Sequence, residues 1–402
     1  MRRNICKALA ILMAFALVMS LAAVSALAYD TINGGQTSFS KYLVADDDAQ
    51  IPDVHFDFTI EAGTPVAGGD GNALEILAGP VVIDETTNEV TAPTIAPAQF
   101  SSGMPTTDGL PTDEEGSVTD GKVYAESNIA IDLTGVTFTV PGVYRYVITE
   151  QPNEFNGITN DSTAVRYLDV FVFPSESNPD VLEVQNYALR TAATSFERVY
   201  DSEAGIYKYQ YVTNPGKKSD HYTNELETVD LEFSKKITGN QADMTKKFRF
   251  QLDLDNVNPG DYTLEITGTD VIRDDSNVTA DNGVYTIHVD ASGSYTGYFY
   301  LTNAEKVKVI SLNKGYSYEV QEEAQDYTPT EGIDNDGTEN DYTDPYTGTG
   351  ITSPIVKTGY TNTREGAIPT GVIITIAPFA IGLLLFGAIM LYMVSRRRRA
   401  TY

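Results

Sequence analysis

The sequence predicts an all-β protein organised as two tandem β-sandwich domains, with an export signal before them and a membrane-spanning tail behind. Three observations lead there. Short segments rich in Val, Tyr, Phe and Thr alternate in polarity, from residues 54–61 (VHFDFTIE) to residues 316–320 (YSYEV), as half-buried strands do. Clusters of Gly, Pro, Asn and Asp separate these segments, and no amphipathic helix of ordinary length precedes residue 370. A set of three short motifs also occurs twice in the same order, once in each half of the chain.

The elements follow in chain order. Arg2, Arg3 and Lys7 precede an apolar run and the small-residue site Ala26-Leu27-Ala28, so residues 1–28 read as a signal peptide. Residues 29–227 form the first domain, with strands expected at 136–140, 143–150, 166–173 and 208–212. Within it, residues 62–130 are rich in Gly, Thr, Asp and Pro and read as a long loop with room for hidden strands. Residues 228–365 form the second domain, with strands at 247–254, 284–289, 297–301 and 316–320 and a second long loop at 324–353. Residues 366–402 close the chain: AIPTG (Ala367 to Gly371), an apolar run at 372–394 long enough to span a bilayer, then Arg396 to Arg399. The basic end stays cytoplasmic and everything before the span lies outside.

Composition excludes several functions. The single cysteine, Cys6, lies in the signal, so the exported chain has no disulfide and no Cys-ligated metal. Asp and Glu total 56 against 27 Lys and Arg, a formal charge of −29, which excludes nucleic acid as a partner. This balance reads as a hydrated surface; acidic loops such as residues 45–50 (ADDDAQ) leave calcium binding open. His55, His221 and His288 lack metal-ligand spacing. Without a nucleotide loop or a Ser–His–Asp order, a conventional enzyme with a cofactor is not expected.

The repeated motifs carry the chemistry. The first half has FSKYL (39–43), YRYVITE (144–150) and HYTNE (221–225); the second has FSKKI (233–237), YSYEVQE (316–322) and GYTNT (359–363). Alternation places Lys41 with Phe39 and Leu43, Glu150 with Tyr144, Tyr146 and Ile148, and Asn224 with Tyr222. It does the same for Lys235, Glu322 and Asn362. Lys and Glu are seldom buried unless paired. One outcome is a buried ion pair hydrogen-bonded to an amide, which is weak as a stabiliser. The other is a reaction. Burial disfavours both charges, so a proton passes to the carboxyl and leaves a nucleophilic amine. Held against the Asn carboxamide at an effective molarity of roughly 10⁵–10⁸ M, the amine displaces ammonia and forms an isopeptide bond, once per domain.

The motif order, the paired domains and the AIPTG ending resemble the T-antigen-type backbone pilins of Gram-positive bacteria, with their streptococcal pilin isopeptide-linkage domains. The resemblance implies that each domain is an Ig-like sandwich crosslinked between its first and last strands. Carried over by position, the bonds are Lys41–Asn224 with Glu150 and Lys235–Asn362 with Glu322 as the catalytic carboxyls. Lys236 and Glu323 fall on the opposite faces, and Asn214 lies further from the domain end than Asn224. By the loop-entropy model for disulfides, each crosslink would contribute about 5 kcal/mol. The resemblance also implies a sortase that cleaves between Thr370 and Gly371, after Pro369, and joins Thr370 to a lysine of the next subunit. Ala367 and Ile368 depart from the common Leu-Pro-x-Thr-Gly form and favour a dedicated polymerising sortase. Lys217 and Lys218, in NPGKKSDHYTN, are the candidate acceptors. The expected function is a structural backbone pilin subunit, in a covalent polymer with other copies of itself and with ancillary pilins. It would sit at the surface of a Gram-positive cell, joined to peptidoglycan. The alternative is a wall-anchored monomeric adhesin or minor pilin with the same domains.

Overall fold

The computed structural model describes residues 30–67, 73–111, 121–193, 195–202, 206–211, 221–323, 326–333, 339–341, 345–353, 355–366 and 381–393. Strands dominate them, in two sandwiches in tandem.

In the first, the strand Gln36–Asp46 lies between Lys122–Asp132, antiparallel, and His221–Leu226, parallel. The facing sheet is built on Gly142–Glu150, flanked by Val165–Pro174 and Phe58–Ala62, with Leu182–Arg190 beyond. Leu43, Phe56, Ile131, Tyr146, Ile148 and Leu168 fill the space between the sheets.

The second sandwich repeats this plan. Thr228–Thr238 lies between Lys306–Asn313, antiparallel, and Ile355–Thr363, parallel. The facing sheet runs Tyr295–Leu301, Phe248–Asp255, Ser317–Glu322 and Tyr346–Gly348. Its pattern follows directly from sequence: in FRFQLDLD, Phe248, Phe250, Leu252 and Leu254 are buried, while Arg249, Gln251 and Asp253 point outward. Each of these large apolar side chains contributes about 1.5–3 kcal/mol on burial.

The hidden strands for which residues 62–130 left room are present, and the loop expected at 324–353 is corrected. Residues 62–130 contain several strands, including Lys122–Asp132, which pairs with the Lys41 strand along its whole length. Its inward positions include Ala125 and Ser127, too small or polar to give a strong apolar alternation. Residues 324–353 contain Thr328–Ile333, Glu339–Asp341 and Tyr346–Gly348. Conversely, the strand expected at 136–140 is only Thr137–Phe138.

The sandwiches meet with one residue, Glu227, between the strand that ends the first and the strand that begins the second. Its N–H donates to Gly157 O and its carbonyl accepts from Lys314 N, each at 2.8 Å. At the chain's end, residues 381–393 are helical. Among the described residues no helix is long and apolar enough to cross a membrane. The signal peptide at 1–28 and the remainder of the apolar run at 372–394 lie outside the described residues.

Candidate functional site

The parallel pairing of first and last strands sets the geometry. Lys41 pairs with Tyr222, and Leu43 with Asn224. Lys235 pairs with Tyr360, and Ile237 with Asn362. The same offset therefore places each lysine and its asparagine on one inward face, two positions apart along adjacent strands.

The glutamates come from the facing sheets. Lys41 Nζ donates to both carboxylate oxygens of Glu150 at 2.8 Å and to Asn224 Oδ1 at 2.7 Å. Asn224 Nδ2 donates to Glu150 Oε1 at 2.7 Å, which closes a ring of three groups. In the second domain Lys235 Nζ donates to Glu322 Oε2 at 2.7 Å, and Asn362 Nδ2 to Glu322 Oε1 at 2.5 Å. All six side chains are buried, with Lys41 0% and Lys235 1% exposed. Lys236 and Glu323 are exposed on the opposite faces.

The tyrosine of each Tyr-Thr-Asn motif has a role that sequence reasoning did not assign. Tyr222 Oη donates to Ile148 O at 3.3 Å, and Tyr360 Oη donates to Val320 O at 2.9 Å. In both domains the accepting carbonyl lies two residues before the glutamate. Each tyrosine thus pins the Asn strand to the Glu strand across the core. The equal spacing of Tyr and Asn in the two motifs is the one sequence signal that could have found it.

Aromatic walls dry the sites. Lys41 Nζ lies 4.7 Å from the centre of the Phe56 ring, and Lys235 Nζ lies 4.3 Å from that of Phe248. Burial pushes both lysines down from 10.5 to about 8; the neighbouring glutamates oppose that shift without cancelling it. The amines therefore deprotonate far more readily than free lysine while in contact with an acceptor carboxylate and a carboxamide. That is the arrangement a nucleophilic amine needs.

Asn214, Lys217, Lys218, Pro369, Thr370 and Gly371 lie outside the described residues. Among the described residues, no group of His, Cys, Asp and Glu is placed to hold a metal ion.

Residues 38–201 match the family described as a Spy0128-like isopeptide containing domain. Residues 229–364 match a domain of unknown function, DUF7601. A curated protein, "Pilin" of Streptococcus pyogenes serotype M1, is 25% identical over 399 residues, covering 96% of this chain and 98% of its own. Over most of its length the chain is thus similar to a streptococcal pilin, and its residues 38–201 to an isopeptide-containing domain. Among solved structures, the major pilin from Streptococcus pyogenes aligns over 83% of this chain and 100% of its own, at 21% identity and a TM-score of 0.45. The major pilin T3.2 of the same species aligns over 82% and 100%, at 19% identity and a TM-score of 0.45. The two domain matches fall on the two sandwiches, each of which holds one triad.

Proposed function

We propose that the protein is a structural pilin subunit whose two sandwiches each close with a Lys–Asn isopeptide bond. The carrying observation is that one buried Lys–Glu–Asn arrangement, in one strand register, occurs twice. Two lysines with no reaction to perform would be an expensive way to fill two cores.

The reaction balances without cofactor. The lysine ammonium gives a proton to the glutamate, and the neutral amine attacks the asparagine carboxamide carbon. The glutamate passes that proton to the departing nitrogen and takes up the second proton from the attacking nitrogen, so it ends protonated. The C–Nδ2 bond breaks, ammonia leaves, and the new C–Nζ bond joins the first strand to the last. Each domain reacts once, so nothing turns over. A bond between first and last strands passes tension across a domain without unfolding it. That suits a chain with no cysteine outside its first residues.

The ends of the chain extend the reading. AIPTG, the apolar run and the basic tail form a sorting signal: a sortase cleaves Thr370–Gly371 and transfers the Thr370 acyl group to Lys217 or Lys218 of the next copy. The product is a backbone polymer joined to the cell wall, with a membrane-tethered precursor.

Two measurements test this. The intact mass of the soluble region should fall short of its translated sequence by two ammonia molecules, and an unmodified mass would exclude the crosslinks. Wall extracts should give a high-molecular-weight ladder. A ladder that collapses to one band in the Lys217→Ala, Lys218→Ala double variant supports the acceptor assignment. A single band in the parent would instead favour the monomeric adhesin.

A further inference from the structure

The two triads differ in one respect that bears on the chemistry: what faces the carboxamide oxygen. In the first domain Asn224 Oδ1 accepts two hydrogen bonds. One comes from Lys41 Nζ, and the other from the backbone N–H of Asp161 at 2.7 Å. The segment that presents this N–H is firmly held. Asp161 accepts through Oδ1 from Thr163 N at 2.7 Å, and through Oδ2 from Thr223 N at 2.9 Å and Arg166 Nη2 at 2.9 Å. Arg166 in turn donates to Thr163 O and stacks on Tyr222, its guanidinium carbon 4.6 Å from the ring centre. Arg166 and Asp161 are 5% and 8% exposed, so this brace sits at the edge of the dry site.

In the second domain the corresponding place is taken differently. In the first domain the strand Ile158–Thr159 runs antiparallel to the Asn strand, Thr159 opposite Glu225, and the chain continues past Asn224 to Asp161. In the second domain Thr328–Ile333 runs antiparallel to the Asn strand, and the residue opposite Asn362 is Pro329. The donor in the first domain stands two residues past Thr159; in the second domain the matching place falls in a register shift between Pro329 and Glu331. Asn362 Oδ1 is buried and has no hydrogen-bond partner among the described residues.

We propose that the Asp161 backbone N–H is an oxyanion donor for crosslinking in the first domain, that the second domain lacks one, and that Lys41–Asn224 therefore forms faster than Lys235–Asn362. The inference rests on the isopeptide reading above. Attack by the amine turns the carboxamide oxygen into an oxyanion until ammonia departs. A pre-positioned N–H stabilises that charge without reorganisation, and removing one such donor slows comparable reactions by about 10²–10³-fold. Asp161 and Arg166 side chains touch no reacting atom of the asparagine; they position the N–H.

The test follows each bond separately in the full exported chain. Cell-free translation is stopped, samples are quenched in acid over time, and the crosslinked peptides are quantified by mass. In the parent, the Lys41–Asn224 peptide should appear first, with the Lys235–Asn362 peptide trailing by an order of magnitude or more; equal rates, or the reverse order, overturn the proposal. An amide-to-ester replacement at position 161, made by incorporating the α-hydroxy analogue of aspartate, removes the N–H and keeps the side chain. It should slow the first bond by about 10²-fold while the second bond keeps its rate, which also reports that the chain has folded. The same replacement at Ser162 should leave both rates at the parent value. Unchanged first-bond formation in the position-161 ester overturns the oxyanion role alone. If neither bond forms in the parent at any time, the isopeptide reading itself falls.

Discussion

Glu150 and Glu322 end strands with the same motif, yet the two strands are covered differently. In Ser317–Glu322 buried and less buried positions alternate, so one face is dry and the other looks outward. In Gly142–Glu150 nearly every residue is buried. Its second face lies in a small apolar cluster with Ile76, Phe171, Phe173 and Phe196, the last of these from a separate three-stranded sheet; Ile76–Ala78 extends the first sheet by pairing with it in parallel. Arg145 lies on that second face, 2% exposed, in a two-pronged ion pair with Asp169 at 2.7 and 2.9 Å. The second domain manages the same triad with a single dry face. One dry face thus suffices to build the triad, and the added layer on the first domain should be separable from the proposed chemistry.

Removing the carboxyl proposed to drive crosslinking tests that separation most strongly. Glu150→Ala and Glu322→Ala should each restore one ammonia to the intact mass. Each loses a crosslink worth about 5 kcal/mol by the loop-entropy model, and leaving a buried lysine unpaired adds roughly 3–5 kcal/mol of destabilisation. Together these rival the whole stability of an ordinary domain. Calorimetry should show one transition collapsing and the other staying. Two transitions that fall together in both variants would mean that the sandwiches are not separate units.

Asp169→Ala sharpens the contrast from the other side. It strands Arg145 in the added layer and should cost the first domain roughly 3–5 kcal/mol. Because Arg145 points away from Glu150, the chain should still be two ammonia molecules short. A missing Lys41–Asn224 bond in this variant would tie the layer to the reaction after all.

The lysines themselves predict a pH dependence common to both domains. Asn224→Ala and Asn362→Ala keep the amine and its glutamate but cannot form the bond. Each folded lysine titrates near 8 and the unfolded one near 10.5, so between those values the unfolded chain binds more protons. Stability is then full above 10.5 and is lost as pH falls towards 8, by roughly 3 kcal/mol, with no further change from this group below. Measured against the same variants with the lysine also replaced by Met, the slope should match in the two domains. A slope confined to one domain would mean that the two sites differ in dryness.

Much of this was legible from alternation alone. Lys41, Glu150, Lys235 and Glu322 stood out because a charge shared a face with Phe, Tyr and Leu, and the repeat made coincidence improbable. What stayed hidden had weaker signals. Lys122–Asp132 presents Ala125 and Ser127 inward, so it merged with its polar surroundings. Arg145 occupies the polar place in an alternating strand, and no local pattern announces a layer supplied from residues 73–74, 196–201 and 206–211. The Asp161 N–H acts through the backbone, so it leaves no side-chain signature. The register shift after Pro329, which separates the second site from the first, has no signature in the sequence.

The joint between the sandwiches carries the smallest predicted effect. Asn156 and Asn258 exchange bonds across it: Asn156 N donates to Asn258 Oδ1 at 3.1 Å, and Asn258 Nδ2 donates to Asn156 O at 2.9 Å. Asn258 N donates to Asn313 Oδ1 at 2.7 Å, and the side chains of Asn156 and Asn313 both donate to Asn256 O at 3.0 Å. Asn258 and Asn313 are buried, so truncation leaves polar groups without partners and not merely one bond fewer. Asn258→Ala should therefore cost about 1–3 kcal/mol. Unlike the triad variants, it should shift both transitions slightly and widen the gap between them, because the bonds lost belong to neither domain alone. The mass should be that of the parent. A shift confined to the second domain would show that the asparagines stabilise only the loop that carries Asn258 and that the single linking residue, Glu227, holds the joint by itself.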